Sequence, residues 1–302
     1  MDFLSFEHKP FFHHFKPFTQ FLFLLVFITG STFLCSAVAQ VISLFIWGGE
    51  INVTSLSYLR LIQSFSSVGM YLLPSLFFSY CAEKKWFTYN QANETPSLYM
   101  VGIVTCLAFL LIPIIDVIAG LNEQIRLPSI FAEMENGMRM MEQEAARTVE
   151  RMTKGGSFSN LMVNLLLMAV LPAVCEEFLF RGTLQPFFTR RLKNVHIAVW
   201  LTAFIFSAIH LQFYGFIPRL LLGAYLGYLF VWSGSLWLPV WAHFLHNSIS
   251  LIFYYILERA PLFREVFQFS DISGYIPIMT GITLLTFAGI FLLWKRRKRA
   301  TL

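Results

Sequence analysis

Apolar residues run through this chain in long blocks, separated by short polar stretches that carry most of its lysines and arginines. Eight blocks approach or exceed the ~20 residues a helix needs to cross the hydrocarbon core of a bilayer. They are Phe18–Ile46, Leu59–Tyr80, Tyr99–Ala119, Leu161–Phe180, Val195–Leu211, Phe216–Trp232, Ser235–Leu257 and Tyr275–Trp294. The expectation is an all-α, polytopic transmembrane helical bundle of about eight spans, forming a single integral membrane domain over 1–302. The fifth and sixth blocks are the shortest and either gain flanking residues or reach only part of the way across.

Orientation follows from the short loops, because lysine and arginine are retained on the cytoplasmic side. Lys9 and Lys16, Lys84 and Lys85, then Arg190, Arg191 and Lys193, and finally Lys295 to Arg299 fall on one side of an eight-span count. Both termini are therefore expected in the cytoplasm, and the expected location is the cell (inner) membrane. The first block is too long for a signal-peptide core and reads as a retained span.

One loop, 120–157, is long. Phe131, Met134, Met138, Met141, Ala145, Val149 and Met152 recur in it every three or four residues, the pattern of an amphipathic helix. On the eight-span count this loop is extracytoplasmic. A plain interfacial helix is the simpler reading, and a lid over a substrate entrance the sharper one. Gly223 and Gly227 form a small-xxx-small pair that lets two helices approach closely.

Composition narrows the picture. Hydrophobic residues make up 57% of the chain and charged ones 13%, about half of what a soluble domain carries. The net charge of +5 sits at span ends, which argues against a nucleic-acid partner and for the lipid bilayer. Cys35, Cys81, Cys106 and Cys175 show no spacing of a disulfide framework.

Against this background the polar residues inside the blocks stand out, since ionisable groups in hydrocarbon are costly and normally have a partner or a task. The fourth block holds Glu176, Glu177 and Arg181, the fifth ends in Phe206 and His210, and the seventh contains His243, His246 and Asn247. Glu177 and Arg181 are four apart, the spacing of an intrahelical ion pair, whereas Glu176 points about 100° away. His243 and Asn247 share a helix face. Counted at 1.5 Å per residue, Glu176 lies ~21 Å from Arg190, His210 ~26 Å from Lys193 and His243 ~14 Å from Gly234, so all three fall within the membrane.

A glutamate beside a histidine can activate water, and a second histidine with an asparagine amide can donate to a developing oxyanion. These are parts for amide hydrolysis without a covalent intermediate. Each part also has a plainer reading: Glu177–Arg181 as a helix lock, His210 as a satisfied core residue, Phe206 as packing and His246 as a bystander. Their coincidence favours the chemistry.

The order EExxxR, FxxxH, HxxxN, read here as Glu176-Glu177…Arg181, Phe206…His210 and His243…Asn247, resembles the CAAX protease and bacteriocin-processing (CPBP, or Abi) intramembrane endopeptidases, which include the type II CAAX prenyl proteases. The resemblance covers about 161–252, and Gly234-Ser235-Leu236-Trp237 fits it as well. It implies that Glu176 and His210 activate water, that His243 and Asn247 stabilise the oxyanion, and that Glu177 and Arg181 hold the geometry. It implies as substrate a membrane-associated peptide or protein, such as a prenylated CAAX end or a bacteriocin leader. No cofactor is required by the motifs. The family is often labelled metal-dependent, and a divalent metal such as zinc, held by Glu176, His210 and His243, is the alternative to a glutamate-activated water; HExxH is absent. The rival functions are a non-proteolytic membrane scaffold or immunity-type protein of the same fold, and a proton-coupled transporter using a Glu/His relay.

Overall fold

The computed structural model describes residues 10–48, 53, 55–83, 86–154, 157–259 and 272–296. Lys9, Lys84, Lys85 and residues 297–299, used in the orientation argument, lie outside the described residues. Among the described residues every regular element is helical.

Among the described residues nine long helices follow one another: α1 (Pro17–Trp47), α2 (Leu56–Ala82), α3 (Leu98–Glu123), α4 (Ala132–Thr153), α5 (Phe158–Leu192), α6 (Val195–Ala208), α7 (Phe216–Ser233), α8 (Trp237–Arg259) and α9 (Ile272–Lys295). All but α4 coincide with an expected span. Five of them, α1, α2, α3, α5 and α7, are long and apolar enough to cross a membrane. The fold is a polytopic helical bundle whose outer surface is apolar: Phe33 on α1 and Leu98 on α3 are 78% and 88% exposed, as befits side chains that meet lipid rather than water.

Local signals set the helix ends. Ser55, Ser97 and Ser157 cap α2, α3 and α5 by accepting from backbone N–H groups three residues on, and the Asn194 side chain does the same for α6. Gly48 and Gly234 end α1 and α7 in the left-handed conformation that glycine adopts without a Cβ clash.

Two features differ from the sequence expectation. The fourth span does not stop at Phe180 but continues to Leu192, because π turns at Leu165–Val170 and Phe180–Leu184 let the helix bend without breaking. The fifth is a helix only to Ala208; His210 stands in the turn that follows, before Leu211 at φ 53°.

The core of the bundle is α5, α6, α7 and α8. Gly223 and Gly227 bring α7 onto α6: a Cβ at Gly223 would lie 3.2 Å from Ala203 Cα, and one at Gly227 would lie 2.9 Å from Val199 Cγ1. Closeness exposes two carbonyls to α5, where Arg181 Nη2 donates to Gly223 O at 2.9 Å and Gln185 Nε2 donates to Gly227 O at 3.0 Å. The glycine pair thus packs two helices and supplies acceptors to a third.

Helix α4 docks by a polar edge. Arg139 pairs with Glu135 at 2.8 Å and lies 4.2 Å over the Tyr214 ring, while Met134 and Met141 of the apolar stripe remain exposed. Arg60 of α2 donates to Asn164 Oδ1 at 2.8 Å, and Asn164 donates to Met152 O at 2.7 Å, fixing the C-terminal end of α4 against α2 and α5.

Candidate active site

The four middle helices bring the polar residues of the three motifs together. Glu177 and Arg181 sit one turn apart on α5 with their side chains fully excluded from solvent. Arg181 Nη1 donates to Glu177 Oε1 at 2.7 Å, and its guanidinium also lies 4.8 Å over the Phe206 ring. The cation is therefore held by a carboxylate, a backbone carbonyl and an aromatic face.

The same Glu177 oxygen meets a second helix. His243 Nδ1 is 2.8 Å from Glu177 Oε1, and since a carboxylate only accepts, the histidine donates there. This pins the α8 imidazole to α5 and turns its Nε2 edge away from the ion pair. His210 is fixed likewise: its Nδ1 is 2.8 Å from the Phe206 carbonyl oxygen and donates to it, leaving Nε2 uncommitted. Phe206, expected as packing, stacks edge-on against Phe180, His210 and His243 and so separates the two histidines from the rest of the core.

Glu176 is the contrast. It is only partly buried, no hydrogen bond from a protein group reaches it among the described residues, and it lies within electrostatic reach of His243, Glu177, Arg181 and Arg219. Asn247, one turn after His243, donates Nδ2 to Met168 O at a long 3.4 Å. Glu176, His210 and Asn247 keep partial exposure while the Glu177–Arg181 lock has none. His246 makes none of the contacts that join the three motifs.

Consecutive positions on α5 point about 100° apart, so the two glutamates face different environments, and the π turn Phe180–Leu184 follows them. Beside the turn the Phe178 carbonyl accepts from two side chains: Ser75 of α2 donates at 2.7 Å and Thr183 at 3.1 Å. No periodicity rule anticipates this.

Arg219 was not among the residues singled out from the sequence. It stands in the first turn of α7, within electrostatic reach of Glu176 and His210. The signal available was an arginine three residues into an apolar block.

A metal can be tested against the donors. Among the described residues, no three histidine, cysteine or acidic side chains are grouped to hold an ion. Glu176, His210 and His243 are not arranged as a ligand set, so the zinc alternative does not fit this geometry and no step is derived through it.

With the geometry described, comparison with known proteins is informative. A protein of Bacillus subtilis (strain 168) described as "Uncharacterized protein YpbD" is 31% identical over 90 residues, which is 28% of this chain and 43% of that protein. The chain thus matches less than half the length of that relative. No solved structure matches. Residues 158–249, from the first turn of α5 to the middle of α8, match the family described as type II CAAX prenyl endopeptidase Rce1-like, the kinship that the three motifs resemble.

Proposed function

We propose that this chain is an intramembrane endopeptidase that hydrolyses a peptide bond of a membrane-associated peptide or protein by a glutamate-activated water. The observation that carries the reading is the division of labour between adjacent glutamates: Glu177 is buried and doubly bonded, while Glu176 is partly exposed, has no hydrogen bond among the described residues and lies within electrostatic reach of His243.

In this reading Glu176 accepts a proton from water as the oxygen attacks the scissile carbonyl, with His210 Nε2 orienting the water. Negative charge develops on the carbonyl oxygen. Asn247 Nδ2, which has a second N–H besides the one directed at Met168 O, donates to it, and His243, oriented by Glu177, presents its Nε2 edge there. As the C–N bond breaks, Glu176 returns its proton to the leaving amine, so one water is consumed and no covalent intermediate forms. Glu177 and Arg181 are positioning residues.

The family match supports a CAAX-type substrate, and the membrane setting supports one that is lipid-anchored or spans the bilayer. The test is mass spectrometry of lipid-tethered peptides incubated with the purified protein in liposomes. Discrete paired products that disappear with His210→Ala and Asn247→Ala are expected. Intact peptides throughout would contradict the reading, and proton-coupled flux blocked by Glu176→Gln would replace it with a transporter.

A further inference from the structure

The loop 209–215 that carries His210 leads directly into Arg219. The Arg219 guanidinium folds back on this loop, where Nη1 lies 3.4 Å from the Gln212 backbone oxygen and Nη2 donates to the Gln212 side-chain oxygen. Gly215 makes room for it: a Cβ there would collide with the guanidinium, although the Gly215 backbone, at φ −99°, accepts any residue. The loop is in turn fastened from α3, where Asn122 donates to Phe213 O at 3.0 Å and also to Tyr214 O.

Among the described residues a single carboxylate outside the catalytic cluster approaches this cation, and it comes from α4. Glu142 Oε1 is 4.0 Å from Arg219 Nη2, beyond hydrogen-bond distance, and Glu142 Oε2 is buried with no hydrogen-bond partner among the described residues. A guanidinium normally takes a carboxylate with two parallel hydrogen bonds. Here an anion has reached the right place without closing the contact. Both side chains are partly exposed, 22% and 29%, beside the partly exposed Glu176 and His210.

We propose that Arg219 is the subsite for a carboxylate of the substrate, and that Glu142 of α4 occupies that place until substrate displaces it. The proposal rests on the peptidase reading. A carboxylate held on Arg219 would fix the peptide relative to Glu176 and His210, because the cation is within electrostatic reach of each of them. The carboxylate is either the chain terminus of the substrate or an aspartate or glutamate side chain near the cleaved bond. Displacing Glu142 would also loosen the docking edge of α4, leaving Arg139 over the Tyr214 ring as its contact with the loop.

The test uses three fluorescent lipid-tethered peptides of one sequence: one with a free C-terminal carboxylate, one amidated, and one amidated with an aspartate near its end. Cleavage is followed with wild type, Arg219→Gln, Arg219→Lys, Gly215→Ala and Glu142→Gln, and binding with the same probes on the Glu176→Gln protein. The expected result is that one carboxylate probe binds Glu176→Gln protein about tenfold or more tighter than the plain amide, the size of a charge-assisted contact. Arg219→Gln and Gly215→Ala should erase that preference by raising KM for the carboxylate probe more than for the amide, and Arg219→Lys should restore part of it. Glu142→Gln should lower KM for that carboxylate probe about twofold to fivefold by freeing the site. Equal binding of all three probes would overturn the proposal, as would an equal loss on acid and amide probes in Arg219→Gln with a fall in melting temperature, which would make Arg219 a loop clamp. Failure of the peptidase reading looks different: no probe is cut by wild type, while the binding measurement still ranks the probes.

Discussion

His243 of α8 donates Nδ1–H to Glu177 of α5 across 2.8 Å, on the same oxygen that already accepts from Arg181 at 2.7 Å. One carboxylate oxygen therefore joins two helices and sets which edge of His243 faces the accessible side. The second oxygen of Glu177 is buried and has no hydrogen-bond partner among the described residues, which leaves all of its compensation on that one oxygen. Burying charge in this way is costly unless the pair stays intact.

Breaking the pair from one side should therefore be damaging. Arg181→Met leaves Glu177 buried with His243 as its remaining hydrogen-bond partner and is expected to cost about 3–5 kcal/mol of stability. The double variant Glu177→Gln/Arg181→Met removes both charges and should recover a substantial part. Thermal unfolding in detergent checks both, and a double variant no more stable than Arg181→Met would show that the lock acts by shape rather than charge.

Glycine at 227 is expected to be more demanding than at the solvent-facing positions of α4. An added Cβ meets Val199 Cγ1 at 2.9 Å and Gln185 Oε1 at 3.0 Å, so Gly227→Val must push α7 off α6. A loss of about 1–3 kcal/mol is expected from the overpacking. Gly137 of α4, whose Cβ would meet nothing within 4 Å, is the control: Gly137→Ala should be neutral or stabilising by about 0.5–1 kcal/mol, the helix-propensity difference.

Asn247 and Ser75 should separate in kinetics. Asn247→Ala removes a donor aimed at the oxyanion and is expected to lower kcat about 10²–10³-fold with little change in KM. Ser75→Ala, one helix away, removes one of two donors to the Phe178 carbonyl and should cost about 1 kcal/mol of stability while activity per folded molecule is retained. Equal kcat losses in Ser75→Ala and Asn247→Ala would argue that both act only through the shape of α5.

Much of this molecule was legible in the sequence, for reasons that can be named. Hydrophobic blocks of span length located the helices because backbone in lipid has few alternatives to the helix. The four-residue spacing of Glu177 and Arg181 led to a contact because it depends only on helix geometry within one element. What lay beyond reach depended on contacts between elements. The π turn at Phe180–Leu184 is supported by Ser75, a residue more than a hundred positions away, and Arg219 gains its significance from Glu142 on α4. The stripe on α4 was visible, but not that Glu135, Arg139 and Glu142 beside it would form the docking edge and leave Met134 and Met141 outside. His210 was placed at a helix end where the chain had already turned.

The central claim is that Glu176 is the base. Its most direct test is the cleavage rate of a lipid-tethered peptide by liposome-reconstituted wild type and Glu176→Gln, with melting temperatures measured on the same samples. The account predicts a fall of at least about 10²-fold, the usual reach of a positioned acid–base group, at an unchanged melting temperature. Cleavage by Glu176→Gln at the wild-type rate would contradict it.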